Sequence, residues 1–377
     1  MNHYKNLVTA FCFLGLCFFS CTSTDAQPKN RTRRKRTKRH LIKRTNVPKI
    51  YPVFSKTVAH YPDWVTERPN ANTYIWQNSA PLNFDELILS WNARRPALGF
   101  FTFWVSVKHH TWSSWHRIAE WGNNYQQTFV NKLNPYVHTK HVRVEMQRGL
   151  HATDFRIKVV FNGGAPHTNL HALFVTTSRL KQYRRAKPDK NKPTILIRGI
   201  PKQSQMVLDH HRSRELCSPT SLAMIIKYFQ HMFYDPLYMR DLHTYAASFA
   251  NKVHDDGYLD IYGSWPLNVA QAYEASEGDV FYSVQRLNSF DNLYEHLKLR
   301  IPIAVSVRRL KGGATPYAGG HFVVVVGWDQ PTQSVLCIDP AFGSNKATYK
   351  KYKITNFLRA WGLSNNLAYV PIPKKIF

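Results

Sequence analysis

Apolar side chains recur at every second position in several short runs of the first half of the chain. The clearest runs are 101–107, 142–146 and 155–161. A period of two is typical of β-strands that bury one face. Turn residues such as Asn162-Gly163-Gly164 follow these runs, and no helical pattern separates them. We therefore predict a β-sandwich or jelly roll in this half.

The second half of the chain mixes helical and strand patterns. Apolar residues at the helical spacing i, i+3, i+4 and i+7 are Leu222, Ile225, Ile226 and Phe229. They predict a helix that begins near Cys217 and buries one face. The continuous apolar run 322–326 and the following run 334–338 predict two buried strands joined by a turn. Helices and strands in this order indicate an α+β fold.

Positive charge is concentrated near the start of the chain. The formal net charge is +28, and residues 29–44 hold ten lysines and arginines in sixteen positions. Such a segment repels itself, contains too few apolar side chains for a core, and is predicted to be disordered. Behind a signal peptide, a tether against anionic lipid or polymer is the favoured interpretation. A solvated spacer and a nucleic-acid arm remain the alternatives.

The first twenty-one residues have the pattern of an export signal. An apolar run over residues 7–20 follows Lys5, too short for a comfortable membrane span and of the length of a signal-peptide core. The run ends in Phe18-Phe19-Ser20-Cys21, which is similar to a bacterial lipobox except that leucine is usual in place of Phe18. We predict export, either secreted or anchored in the cell envelope by a lipid on Cys21. Membrane contact is expected only through that anchor.

Cys217, His321 and Asp339 are the candidate catalytic residues. Cys217 stands at the predicted helix start, where the helix dipole favours a thiolate, and Pro219 suits the first helical turn. His321 opens one strand of the predicted hairpin, and Asp339 follows the other, so both lie at the same end. A thiol, an imidazole and a carboxylate can serve as nucleophile, base and orienting group. A structural cysteine, a core histidine and an Asp-Pro turn are the alternatives for the separate residues.

The second half of the chain resembles the papain-like cysteine peptidases of the bacteriocin-processing (double-glycine) type, in their stand-alone secreted form. The segments that carry this resemblance, in matching order and spacing, are 200–205, 216–221, 262–266, 320–323 and 338–340. The resemblance implies that Cys217 is the nucleophile, His321 the base and acid, and Asp339 the orienting residue. It also implies that the side-chain amide of Gln205 helps the backbone N–H of Cys217 to bind the oxyanion. Gln203 is the rival for that role.

Tryptophan is abundant in the first half, which holds seven of the ten tryptophans. Segments 84–92 and 112–115 resemble, more weakly, a tryptophan-rich β domain that precedes this peptidase in some secreted relatives. Most of these side chains are expected to fill the core. Trp104 alternates with the apolar positions of its strand and is the best candidate for an exposed one. Exposed indoles, together with the basic segment, could bind carbohydrate or an anionic envelope polymer.

The predicted organisation is a signal peptide (1–21), a basic linker (22–50), a β-sandwich (51–186), a linker (187–195) and a papain-like peptidase domain (196–377). We expect hydrolysis of peptide or amide bonds in a peptide or protein substrate through a thioester, without a metal or another cofactor. Trp265 and Asn268 are candidates for the substrate groove, with structural packing as the alternative for both. A thiol transpeptidase and an inactive envelope-attached binding module are the competing functions, and a nucleic-acid binder is the least expected.

Overall fold

The computed structural model describes residues 52–375 apart from Arg68, Asn124, Leu133 and residues 235–240. The predicted signal peptide, the candidate lipidation site Cys21 and the basic linker lie outside the described residues. Residues 50–377 form one compact unit. The division of this unit at residues 187–195 stays a prediction.

Two antiparallel sheets form the first part of the fold. Its strands are β1 (Ser55–His60), β2 (Thr73–Phe84), β3 (Glu86–Ala93), β4 (Phe100–Lys108), β5 (His116–Gly122), β6 (Gln126–Thr128), β7 (Val130–Asn131), β8 (Val137–Lys140), β9 (Arg143–Met146), β10 (Ala152–Asn162) and β11 (Leu170–Ser178). One sheet has the order β1-β11-β3-β9-β8-β7, and the other has the order β2-β10-β4-β5-β6. The predicted strands at 101–107 and 155–161 are confirmed as β4 and β10.

Apolar side chains of both sheets share one core, which explains the period of two in the sequence. Trp91 of β3 stacks on Phe103 of β4 with ring centroids 4.1 Å apart. The alternate residues of β4 point to the other side of their sheet; Phe100, Trp104 and Lys108 are only partly buried, whereas Thr102 and Ser106 are buried. Each strand therefore contributes every second side chain to this core.

β3 is buried on both faces, unlike a strand at the surface of an isolated pair of sheets. Its polar side chains Ser90 and Asn92 turn away from the shared core toward β13 (Val280–Arg286). The Asn92 amide donates to the carbonyl of Tyr282 at 2.7 Å and accepts from its N–H at 2.7 Å. Ser90 accepts from the N–H of Val284 at 3.2 Å. These side chains satisfy backbone groups at a sheet edge that would otherwise need water or another strand.

Within the described residues, a third antiparallel sheet and five α-helices form the second part. The remaining elements in chain order are β12 (Ile195–Leu196), α1 (Cys217–Phe233), α2 (Leu242–Asn251), α3 (Trp265–Ala275), the strand β13, α4 (Phe290–Lys298), β14 (Ile303–Val307), β15 (His321–Asp329), β16 (Ser334–Ile338), β17 (Tyr349–Lys353), α5 (Ile354–Gly362) and β18 (Leu367–Pro373). The sheet order is β13-β18-β14-β15-β16-β17, with β12 paired to β15. The chain as a whole is therefore α+β.

Helix α1 and the hairpin β15–β16 carry the three candidate catalytic residues. The predicted helix is confirmed, and its four defining apolar residues are buried in the core of the second part. The prediction of a single buried face is wrong, because every residue from Ser218 to Phe229 is buried. In the hairpin, Val324 pairs with Ile338. This register places the start of β15 beside the end of β16, where His321 and Asp339 stand.

Candidate active site

Cys217 is the first residue of α1. The first N–H groups of a helix have no partner within the helix and carry a partial positive charge. The charge of His321 and the backbone N–H groups of Phe322 and Ser218 favour the thiolate form of Cys217 and lower its pKa. Cys217 is partly buried and free of any disulfide, as is the fully buried Cys337. The helix start thus presents a thiol surrounded by hydrogen-bond donors.

His321 is fixed by a carboxylate on one side and an aromatic ring on its face. Its Nε2 lies 2.7 Å from Oδ1 of Asp339. Because Nε2 is used in this way, Nδ1 is the ring nitrogen left to face Cys217. Tyr317 stacks on the imidazole at a centroid distance of 4.0 Å. The imidazole can therefore rotate little, which is what a proton shuttle at a fixed position needs.

Asp339 is fully buried, and its carboxylate accepts four hydrogen bonds. Oδ1 accepts from His321 and from the N–H of Ala341 at 3.1 Å. Oδ2 accepts from the phenols of Tyr317 at 2.8 Å and Tyr352 at 2.6 Å. Burial and the nearby carboxylate raise the pKa of both phenols well above its ordinary value, so both remain donors. These contacts keep the carboxylate charged although it is out of water.

The sequence reasoning missed both tyrosines. Tyr317 lies four residues before His321, in a glycine-rich loop, and its backbone has φ of +49°, where a non-glycine residue is uncommon. Its phenol also accepts from the N–H of Ala314 at 2.8 Å, which holds the loop against the site. Proximity to His321 was the only available signal for Tyr317. Tyr352 reaches Asp339 from β17, the strand next to β16, and no local pattern marks it.

The thiol and the imidazole change each other's pKa. Burial would raise the pKa of Cys217, but the charge of His321, its hydrogen bond and the two backbone N–H groups lower that pKa below its ordinary value. Burial would lower the pKa of His321, but the Cys217 thiolate and Asp339 raise it to about 9. Burial would raise the pKa of Asp339, but the hydrogen bond and the charge of His321 lower it below its ordinary value. The combined directions favour a thiolate–imidazolium pair at neutral pH.

Cys217 and His321 line a cleft of about 960 Å³, which is large enough for several peptide residues. Gln205 lines the same cleft, whereas Gln203 is buried and bonds the carbonyl of Ser204 at 2.9 Å. The Gln205 amide nitrogen donates to the carbonyls of Ser213 at 3.0 Å and Arg214 at 2.7 Å, in the turn just before α1. Gln205 is therefore near the nucleophile, but both of its amide protons already have acceptors.

The two candidates for the substrate groove lie in different environments. Trp265 lines the cleft. Asn268 is fully buried; its amide donates to the carbonyls of Tyr262 and Ser264, both at 2.8 Å. Its oxygen accepts from the hydroxyl of Ser218 at 2.8 Å. These contacts agree with the alternative that Asn268 has a packing role, and its hydrogen bond to Ser218 stabilises the start of α1.

No group of three or more histidine, cysteine, aspartate or glutamate side chains suited to a metal ion occurs within the described ranges. The same ranges contain no helix that is long and apolar enough to cross a membrane.

The cysteine, the histidine and the buried aspartate lie together at one cleft. Residues 197–369 match the sequence profile of the Peptidase_C39 like family, so this part of the chain is similar to C39-like cysteine peptidases. A crystal structure from Bacillus anthracis, of a protein named as C39-like peptidase, matches with 17% identity and a TM-score of 0.36. That match covers 49% of this chain and 100% of the other. No curated protein matches the chain.

Proposed function

We propose that the chain is a cysteine peptidase that hydrolyses peptide or amide bonds. The observation that carries this proposal is the contact chain from Cys217 to His321 to Asp339 at one wall of a large cleft, with Nε2 of His321 2.7 Å from the carboxylate. The match of residues 197–369 to a peptidase family supports the same reaction class.

In the proposed reaction, the Cys217 thiolate attacks the carbonyl carbon of the scissile bond. His321 donates its Nδ1 proton to the leaving nitrogen, the C–N bond breaks, and an amine leaves a thioester on the enzyme. The neutral imidazole then accepts a proton from water, which attacks the thioester. The tetrahedral adduct collapses to release a carboxylic acid and regenerate the thiolate–imidazolium pair. Asp339 holds the imidazole in the required tautomer throughout.

The oxyanion of each tetrahedral adduct needs donors that are fixed in advance. The backbone N–H of Cys217 is one candidate, because the first N–H groups of a helix lack acceptors within it. The Gln205 amide is the other candidate. In the free protein, both amide protons of Gln205 are donated to backbone carbonyls. The proton donated to the Arg214 carbonyl would have to be shared with the oxyanion. Gln205 is therefore proposed as a donor that is recruited during the reaction.

The finer features of the fold and location are proposals as well. The sheets that share a core in the first part support a β-sandwich in front of a papain-like domain. The apolar run at 7–20 and Cys21 support export and a lipid anchor, and they rest on the sequence alone.

Alkylation of the full chain with iodoacetamide across a range of pH tests the nucleophile directly. We expect Cys217 to react well below pH 8, and His321→Ala to slow this reaction to that of an ordinary thiol. Peptide mass spectrometry separates Cys217 from Cys337, whose pKa burial raises well above its ordinary value. Labelling of Cys337 would report unfolding and so serves as an internal control. Equal alkylation of Cys217 in both proteins would refute the proposal.

Activity itself is tested by incubating the full chain and its Cys217→Ser variant with a mixture of peptides. New carboxyl termini that appear only with the unchanged protein indicate hydrolysis. An added amine that is incorporated in place of water would indicate a transpeptidase instead. Absence of either product together with a reactive Cys217 would favour the binding-module alternative.

A further inference from the structure

Indoles and cationic side chains alternate across the outer face of the sheet β2-β10-β4-β5-β6, far along the chain from Cys217. The members of this cation–indole ladder are Lys108, Trp112, Arg156, Trp115, Lys158 and Trp104. All six are partly exposed. Trp104 and Lys108 belong to β4, and Arg156 and Lys158 belong to β10. Trp112 and Trp115 lie in the segment after β4.

The ladder fixes its cations in position. The Arg156 guanidinium lies 4.6 Å from the ring centre of Trp112 and 4.5 Å from that of Trp115. The Lys158 ammonium lies 4.7 Å from Trp115 and 4.8 Å from Trp104. Arg156 and Lys158 are two residues apart on β10, so their positions repeat after roughly 7 Å along the strand. Cation–indole contacts restrain side chains that would otherwise be mobile.

Arg156 and Lys158 have no carboxylate within ion-pair distance among the described residues, whereas Lys108 lies opposite Asp154 and interacts with its carboxylate. That carboxylate is also bonded to the hydroxyls of Ser79 at 2.7 Å and Thr153 at 2.6 Å. Burial, followed by repulsion from Arg156, lowers the pKa of Lys158. An anionic ligand between Arg156 and Lys158 would relieve this repulsion.

We infer that the cation–indole ladder is a binding site for an acidic polysaccharide, with the carboxylates of successive sugars at Arg156 and Lys158. A guanidinium matches a planar carboxylate through paired N–H donors, and an ammonium adds a second positive charge beside it. Single-stranded nucleic acid is less suited, because its bases need open aromatic faces, and each of the three indoles already has a cation over its ring. This inference does not depend on the proposed peptidase activity.

The test uses the full chain at physiological salt, with oligogalacturonate as the ligand. Lysine methylation, read by peptide mass spectrometry, measures protection of each lysine separately, so the basic segment near the start of the chain does not mask the result. We expect protection of Lys158 and Lys108 and none of the exposed Lys56. A neutral galactose oligomer and an oligothymidylate of equal charge are tested in parallel.

Paired variants then measure the contribution of charge. Arg156→Gln with Lys158→Gln is expected to weaken oligogalacturonate binding by about tenfold relative to Arg185→Gln with Lys56→Gln, which removes the same charges elsewhere. The inference is overturned if the two double variants bind equally, if Lys158 is not protected, or if the neutral oligomer protects it as well. Stronger protection of Lys158 by oligothymidylate would assign the site to nucleic acid.

Discussion

Replacing Asp339 with Asn tests whether the buried carboxylate sets the reactivity of the nucleophile. The side chain is fully buried and accepts hydrogen bonds from His321, Tyr317, Tyr352 and the Ala341 N–H. Asn keeps the size of the side chain but removes its charge. The imidazolium of His321 then loses one of the two negative groups that stabilise it.

The expected size of the effect follows from the charged hydrogen bond that is lost. Burial would lower the pKa of His321, but Cys217 and Asp339 raise it. A hydrogen bond to a charged group contributes about 1.5–3 kcal/mol. Loss of about 1.4–2.8 kcal/mol from the thiolate–imidazolium pair lowers its population by about 10- to 100-fold. Alkylation of Cys217 near neutral pH should slow by the same factor.

The pH profile gives the sign of the effect. Thiolate is present above the pKa of Cys217, which the imidazolium lowers. When Asp339 is neutralised, the pKa of His321 falls, the imidazolium deprotonates at lower pH, and the pKa of Cys217 rises. The acid limb of the alkylation profile should therefore move to higher pH in Asp339→Asn. An unchanged profile, with Cys337 still unlabelled as proof of folding, would show that Asp339 does not act through His321.

Three further predictions concern the cleft and its supports. Arg308 lines the cleft, and its charge should attract an anionic reagent by roughly 0.5–1 kcal/mol. Arg308→Ala should therefore slow alkylation of Cys217 by iodoacetate two- to fivefold more than alkylation by the neutral iodoacetamide. Equal slowing with both reagents would show that the charge of Arg308 does not act at Cys217. Arg286→Leu should lower the free energy of unfolding by about 3–5 kcal/mol, measured by urea denaturation, because it leaves the buried Glu86 without the partner now 2.8 Å away. Adding Glu86→Gln should recover part of that loss, and no recovery would contradict the ion-pair explanation. Asn268→Ala should cost about 1–3 kcal/mol in the same assay, because buried carbonyls lose their donor; unaltered stability would argue against a packing role.

Features that depend on neighbouring residues in the chain could be predicted from the sequence. The helical spacing of Leu222, Ile225 and Phe229 predicts helix α1, although all residues from Ser218 to Phe229 are buried and not one face alone. The apolar runs of β15 and β16 and the turn between them bring His321 and Asp339 to the same end of a hairpin. In each of these cases, the local pattern reflects the burial that stabilises the element.

Features that depend on contacts between distant segments could not be predicted in this way. Tyr352 reaches the carboxylate of Asp339 only because β17 pairs with β16, and its position has no distinctive spacing. The sequence could not distinguish Gln205 from Gln203, because both are glutamines and they are two positions apart. Only the three-dimensional structure shows which of them lines the cleft. Exposed tryptophans suggested stacking surfaces, but the structure covers the ring of Trp115 with cations from β10. Tertiary pairing decides such details, and composition does not reveal it.

Helix α3 connects the first part of the fold to the nucleophile. Leu267 and Ala270 lie on one side of this helix and belong to the core that the two N-terminal sheets share. Asn268, on another side, accepts from Ser218 immediately after Cys217. Trp265, the first residue of the helix, lines the cleft. Because packed cores transmit small displacements, the N-terminal sheets help to fix the position of the helix start that carries the thiol. The first part of the chain is therefore a structural support of the candidate active site.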